Sequence, residues 1–430
     1  MTQPPPSSPD GPAGPRGLRP GGLGPEVQGP EVQGPEVQGP EVQGPAGRDT
    51  APGEPGALGS LPVVQPGHLR PGSTGDPDLD ARMESLLDEL GVTANRDQLR
   101  ELLVSVARLA QGHADRLDLK IANAALREMR EGFEVFAPYR AMRKITMFGS
   151  ARTHPTDPLY AQARDLASRL AALGWSTVTG AGPGIMAAGL EGAGPEHSFG
   201  INIRLPFEQQ PNQFIVSDPK LVSMKYFFTR KLLLVKESDG YAVLPGGYGT
   251  LDEAFELLTL LQTGKAEPAP IVLLEVPGGG YWREWDRFVR DDVGRRGLIS
   301  PEDTSFYLIT DDVLEAVAEI LGFYRNYNSL RWVGDRLVIR LQARPTDSEV
   351  AALCEEFAGM CLRGGIEVLP GPLPTEVRES DHLDLPRIAL RFDKLSHGQL
   401  RLFINALNAL SSAPPLPAGL PVPPSQRARS

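Results

Sequence analysis

The chain of 430 residues is poor in cysteine, with only Cys354 and Cys361. Two thiols cannot build a disulfide framework or a thiolate metal site, and seven positions apart on one apparent helix face they read as packing residues. The six histidines are scattered and show no HExxH spacing, so no protein-bound metal is expected. Missing too is any apolar run near the ~20 residues that cross a bilayer. The start, Met1-Thr2-Gln3-Pro4-Pro5-Pro6, lacks the charged and apolar regions of a signal peptide. A cytoplasmic protein without a membrane partner is expected. Basic residues do not dominate either: the formal net charge is −11. That excludes a general nucleic-acid binder, which needs a basic surface to displace counterions. A small anionic ligand remains compatible with local clusters of cations. No GxxxxGKS or GxxxxGKT loop occurs, which disfavours ATP-driven phosphoryl transfer.

What is present falls into segments. Residues 1–76 are rich in Pro and Gly, and Gly24 to Gln43 is four tandem copies of Gly-Pro-Glu-Val-Gln. Such a segment buries too little apolar surface to offset its ordering entropy and reads as a disordered tail. Residues 77–143 turn helical. Their clearest stripe is Leu119, Ala122, Leu126, Met129, Phe133 and Phe136, a heptad-like seam expected to pack on the next domain or, alternatively, to form a subunit interface.

Between residues 144 and 330, short β-rich runs alternate with helical ones. The strand candidates include Ile145 to Phe148, Ser176 to Thr179, Gly200 to Ile203, Phe214 to Val216 and Tyr241 to Leu244. The helical runs include Leu221 to Lys236, Leu251 to Leu261 and Tyr281 to Arg295. The alternation predicts an α/β fold, a Rossmann-like doubly wound parallel sheet that binds ligands at the carboxyl ends of its strands. Residues 331–411 read as a small α+β domain with a helix over Ser348 to Leu362, and residues 412–430 as a loose tail.

Three glycine-bearing turns fall at the ends of strand candidates: Phe148-Gly149-Ser150-Ala151-Arg152, Thr179-Gly180-Ala181-Gly182-Pro183-Gly184-Ile185-Met186, and Pro245-Gly246-Gly247-Tyr248-Gly249-Thr250-Leu251-Asp252-Glu253. The second fails GxGxxG, with Ile185 where the third glycine belongs, so dinucleotide redox chemistry loses its main support. The third joins a strand to a helix start through glycines, which is an anion site in which backbone N–H groups face a phosphate. Two readings of its end stand side by side. Thr250-x-x-Glu253 fits a capping box, in which Glu253 reaches back to the cap. The same carboxylate, beside a held phosphate, also fits the handling of a nucleotide's sugar. Arg230 and Lys231 on the preceding helix fit either a solvated face or a ligand role.

In this order and spacing, Phe148-Gly149-Ser150, Gly180 to Met186, Arg230-Lys231 and Pro245 to Glu253 closely resemble the LOG (LONELY GUY) family of nucleoside 5′-monophosphate phosphoribohydrolases, once mislabelled lysine decarboxylases. The resemblance covers about residues 144–325. It implies a modified Rossmann fold, a homodimer or higher homo-oligomer, and no cofactor. It implies hydrolysis of AMP-like nucleotides or cytokinin riboside monophosphates to free base and ribose 5-phosphate. By residue, it implies phosphate on Gly246, Gly247, Gly249 and Thr250, with Arg230 and Glu253 as the catalytic pair. Gly149, Ser150, Gly180, Gly182, Gly184, Met186 and Lys231 would border the nucleotide.

The chain also departs from the family pattern. It has Phe227-Phe228-Thr229-Arg230-Lys231 where short members write Met-x-x-Arg-Lys, its first turn ends Ser150-Ala151-Arg152, and its second is Gly-Ala-Gly-Pro-Gly. The chemistry therefore transfers better than the choice of base. The flanking domains have no counterpart in the short cytokinin-activating members. A competing reading is a nucleotide or pterin-cofactor carrier on the same fold without hydrolysis. Another makes the C-terminal domain a regulatory module that gates the enzyme.

Overall fold

A computed structural model describes residues 72–204 and 210–427. The glycine- and proline-rich repeat segment lies outside the described residues. The chain enters through three helices: α1 (Pro77–Glu89), capped by Asp76; α2 (Arg96–Gln111); and α3 (Arg116–Phe136), opened by an Asp115/Asp118 capping box. The seam expected on α3 is buried only at its end. Leu119, Leu126 and Phe133 are exposed and Phe136 is buried, and the rest of the buried face is Ala125, Glu128 and Gly132 with Ala124. The packing partner decides this. A Cβ on Gly132 would fall 2.2 Å from Leu233 Cδ1, so the helices meet at a glycine. Glu128 is spent on capping a later helix, described below.

The central layer is a seven-stranded sheet: β1 (Lys144–Phe148), β2 (Ser176–Thr179), β3 (Ser198–Ile203), β4 (Leu221–Met224), β5 (Gly240–Val243), β6 (Ile271–Leu274) and β7 (Tyr307–Thr310). Its order is β4-β3-β2-β1-β5-β6-β7, and every pairing is parallel. Helices α4 (Pro158–Ala172), α5 (Ile185–Ala193), α6 (Phe227–Lys236), α7 (Tyr248–Gln262), α8 (Tyr281–Phe288) and α9 (Val313–Phe323) complete it. Core clusters lie on both faces, one around Phe148, Val178, Leu233 and Leu257, the other around Ile145, Met147, Leu166 and Val272. Burial on both faces explains the short apolar runs that write these strands. The chain walks outward from β1 to β4 and then returns to β5 on the other side of β1. The reversal places a topological switch point between β1 and β5, where open α/β sheets bind ligands.

Two expectations around β4 need correction. Phe214–Val216 is a turn, held by Asn212, whose Oδ1 accepts from the Phe214 N–H at 3.1 Å, with Ile215 packed beside Ala181 and Leu190. Leu221–Met224 is not helical: it alternates partly and fully buried residues and pairs with β3 as an edge strand. The period of two prevails there, and the helix begins only at Phe227. The helix expected through Arg295 stops at Phe288 and passes into a wider π turn over Val289–Gly294.

Beyond it lies an antiparallel sheet of order β10-β11-β9-β8, from β8 (Tyr327–Val333), β9 (Arg336–Leu341), β10 (Cys361–Leu369) and β11 (Arg387–Phe392), with helices α10 (Asp347–Glu356), α11 (Pro374–Glu379) and α12 (His397–Ala409). The helix expected over Ser348–Leu362 ends at Glu356, so Cys354 and Cys361 do not share a helix face. Cys361 opens β10, and both thiols are unpaired and packed against one core. That core also contains Phe323 of α9, so the second sheet is built onto the first unit. Arg401 of α12, 3% exposed, donates to Glu319 of α9, 1% exposed, at 2.7 Å. The segment expected to be loose is docked as far as it is described. Arg325 Nε donates to Pro414 O at 2.6 Å, Gln426 Nε2 to Gly322 O at 2.7 Å, and the Ser425 N–H to Glu319 Oε2 at 3.3 Å. Among the described residues, no helix is long and apolar enough to cross a membrane.

Candidate active site

The three glycine turns leave the carboxyl ends of β1, β2 and β5, which lie side by side, and they converge on a cleft of about 800 Å³. Backbone bonds pin the turns together: the Ser150 N–H donates to Pro245 O at 3.2 Å, and the Ile185 N–H to Ser150 O at 3.1 Å. Helix α7 starts at Tyr248 with Gly247 as its N-cap, and no side chain among the described residues caps it. The first-turn N–H groups therefore meet the cleft as an anion-binding end. Open space surrounds Gly247 and Gly249. Thr250 is 7% exposed, and its hydroxyl makes no hydrogen bond among the described residues.

This helix start removes the capping-box reading of Glu253. Thr250 is the third helical residue and Glu253 the sixth, too far along for a reach back to the cap. Glu253 is nevertheless 7% exposed and accepts no hydrogen bond among the described residues. Burial pushes its carboxyl up to about 7, opposed by Lys231 and Arg230 and assisted by Glu256 and Asp252.

Arg230 enters the cleft from α6. Its Nε donates to Ile201 O at 2.9 Å, and its guanidinium lies against Gly180, where a Cβ would fall 1.9 Å from Nη2. Glycine at position 180 is thus the condition for Arg230 to take its place. Burial lowers the guanidinium from its ordinary value while the facing Glu253 raises it; an arginine stays charged at any working pH. Met186 also lines the cleft and packs over Gly180 and Gly182.

Lys231 lies elsewhere. Neighbours on a helix point about 100° apart, so Arg230 and Lys231 cannot share a face. Lys231 Nζ bonds Asp252 Oδ2 at 2.8 Å and Glu256 Oε2 at 2.5 Å, and stands 4.0 Å from Glu253 Oε2. It braces α6 against α7 outside the cleft lining. Gly182 and Gly184 likewise shape the second turn without lining the cleft, whereas Gly149, Ser150, Gly180, Gly246, Gly247, Gly249, Thr250, Arg230 and Glu253 all do.

Sequence reasoning missed two supporting residues. Glu128 of α3, 1% exposed, caps α6: it accepts from the Lys225 N–H at 2.8 Å and Thr229 Oγ1 at 2.7 Å, which fixes the helix that carries Arg230. Tyr281 of α8 donates its hydroxyl to Gly246 O at 2.7 Å and fixes the third turn. Neither carries a local signature, because each acts across a long sequence separation. A larger cavity of about 1190 Å³ lies beyond α6 and α7. Its Lys231 and Lys236 are already paired with carboxylates, and among the described residues no glycine of the three turns lines it, so the smaller cleft is the candidate site.

A family model described as "Possible lysine decarboxylase" matches residues 184–320. The probable cytokinin riboside 5′-monophosphate phosphoribohydrolase LOGL3 of Oryza sativa subsp. japonica is 32% identical over 165 residues, 38% of this chain and 75% of that protein. The cytokinin riboside 5′-monophosphate phosphoribohydrolase LOG1 of Arabidopsis thaliana is 42% identical over 72 residues, 17% of this chain and 32% of the relative. Among solved structures, the molybdenum cofactor carrier protein of Chlamydomonas reinhardtii matches with 21% identity and a TM-score of 0.28, over 41% of this chain and 94% of that one. Three convergent glycine turns, the Arg230 and Glu253 placement, and a relative matched over three quarters of its length agree: the chain belongs to the LOG family.

Proposed function

We propose that the chain hydrolyses the N-glycosidic bond of a nucleoside 5′-monophosphate, releasing free base and ribose 5-phosphate. The observation that carries this reading is Glu253, a buried carboxylate without a hydrogen-bond partner among the described residues, on the helix whose uncapped end opens into the same cleft. Phosphate rests on the turn from Gly246 to Thr250. Glu253 follows about 9 Å along the helix axis from Gly247, the scale of a ribose 5-phosphate.

As the C1′–N bond breaks, positive charge develops on the sugar, and ionised Glu253 stabilises it and takes a proton from the attacking water. Water oxygen bonds to C1′, and the electron pair of the broken bond leaves with the base, which takes up a proton. Arg230 eases that departure, and the phosphate serves as the handle that fixes geometry. The carrier reading gains no support from the site, since a carrier has no use for an unmatched buried carboxylate. The exposed Phe228, Leu232 and Phe255 on α6 and α7 provide an apolar face for a homodimer, which sedimentation at monomer mass would overturn.

The test is chromatography of products after incubation with AMP, GMP, CMP, IMP and isopentenyladenosine monophosphate. Free base that disappears with Glu253→Gln is expected. Intact nucleotides throughout overturn the hydrolase, and heat protection by one of them then favours the carrier.

A further inference from the structure

We propose that Arg152 positions the substrate in the cleft, its guanidinium binding the 5′-phosphate beside the N-terminus of α7. The inference rests on the hydrolase reading and assigns a role that neither the glycine turns nor the Arg230 and Glu253 pair supplies. Among the residues that line the cleft, only Arg152 and Arg230 are cationic, against Asp252 and Glu253. Asp252 is already neutralised by Lys231 at 2.8 Å.

Arg230 is already committed. Its Nε is bonded to Ile201 O and its guanidinium lies over Gly180, where it interacts with Glu253. Arg152 is exposed and makes no ion pair among the described residues. Its place is nevertheless fixed. The Arg152 N–H donates to Ser150 Oγ at 3.1 Å, and Ser150 is tied to Pro245 on one side and Ile185 on the other. The turn that carries Arg152 is thus fastened by its backbone to the turn that would hold phosphate.

A phosphate monoester carries close to two negative charges at neutral pH, and a helix N-terminus offers only about half a positive charge. A guanidinium without an ion pair, carried on a turn whose backbone is bonded to Pro245 just before that helix, supplies the missing charge and two parallel donors. The cations then divide their work, Arg152 holding the phosphate and Arg230 attending the sugar and base.

The experiment measures ribose 5-phosphate and inorganic phosphate binding by calorimetry, and AMP kinetics, on the full chain and its Arg152→Ala and Arg152→Lys variants. Expected for Arg152→Ala is a loss of about 10- to 100-fold in ribose 5-phosphate affinity and a matching rise in KM for AMP. Its kcat stays within about twofold and Arg152→Lys recovers part of the affinity. Unchanged binding, or a kcat loss at constant KM, overturns the assignment, as does a wild-type chain that binds neither phosphate compound. Because calorimetry needs no turnover, a wild-type chain that releases no base yet loses ribose 5-phosphate binding with Arg152→Ala refutes the hydrolase and keeps the phosphate role.

Discussion

Two buried pairings of arginine with carboxylate set the C-terminal sheet apart from the cleft. Arg340 and Glu376, buried in the second unit, are fully joined. Nε and Nη2 of Arg340 donate to Glu376 Oε1 at 3.0 and 2.9 Å, while Oε2 accepts from the Leu373 N–H at 2.9 Å and faces Arg387 at 3.5 Å. Arg230 and Glu253 use the same residue types and are held apart. The arginine spends its Nε on a backbone carbonyl, and the nearest cation to the carboxylate is Lys231 at 4.0 Å. Burial of charge does not by itself mark a site, since matched pairs serve structure. Burial without a matching partner costs stability that the fold keeps for another purpose.

The sharpest contrast is expected in turnover. Glu253→Gln should lower kcat by about 10³-fold or more, whereas Glu376→Gln should act on stability and leave kcat of the remaining folded protein within a few-fold. Equal kcat losses would erase the distinction. Next in size, Arg340→Met removes two charged donors from Glu376, leaving it with Arg387 at 3.5 Å and the Leu373 N–H, and should cost about 1.5–3 kcal/mol in urea unfolding; a loss below about 1 kcal/mol would show that the matched pair is not structural.

Gly180→Ala should then lower kcat by about 10²-fold by pushing the Arg230 guanidinium aside. The atom displaced is the end of a flexible side chain, so the melting temperature should move little, and a large drop in melting temperature with normal kcat would contradict this.

The smallest effect concerns pH. The folded carboxyl of Glu253 is raised from 4.5 to about 7, so the native state binds more protons than the unfolded state between those values. The stability linked to this group is fully present below about pH 4.5 and is lost as pH rises through about 7. Glu253→Gln should therefore stabilise the chain by about 1–3 kcal/mol at pH 8 and by almost nothing at pH 4. The wild-type kcat/KM should rise through about pH 7, as expected of a carboxylate that acts ionised. A stability gain independent of pH would remove the titration argument.

The glycine turns were legible in the sequence because they demand a residue type: only glycine admits a guanidinium at position 180, and the motif spacing then aligned three strand ends. The helix start was not legible. Thr250-x-x-Glu253 satisfies a capping box, and only the extended backbone of Gly247, with φ −89° and ψ −157°, moves the start three residues earlier and frees Glu253. Leu221 to Lys236 satisfied a helical pattern throughout, and the break at Phe227 comes from β3, which recruits Leu221–Met224 into the sheet. Glu128 carried no signal in the sequence because its three donors lie about a hundred positions away. Arg230 and Lys231 read as one basic patch until the helix turned them to different faces.

The bond between Glu319 and Arg401 has a consequence for biosynthesis. A ribosome that has delivered the last strand of the parallel sheet has still to translate α12, and Glu319 meets Arg401 only 82 residues later and the Ser425 N–H only after 106. Until then the nascent α9 carries a carboxylate without Arg401 to enclose it, and Phe323 lacks the α12 residues Leu400, Phe403, Ile404 and Leu407 of its core. In a chain cut short before α12, Glu319 lacks Arg401 and Phe323 lacks the α12 part of its core, which leaves α9 exposed to proteases and chaperones.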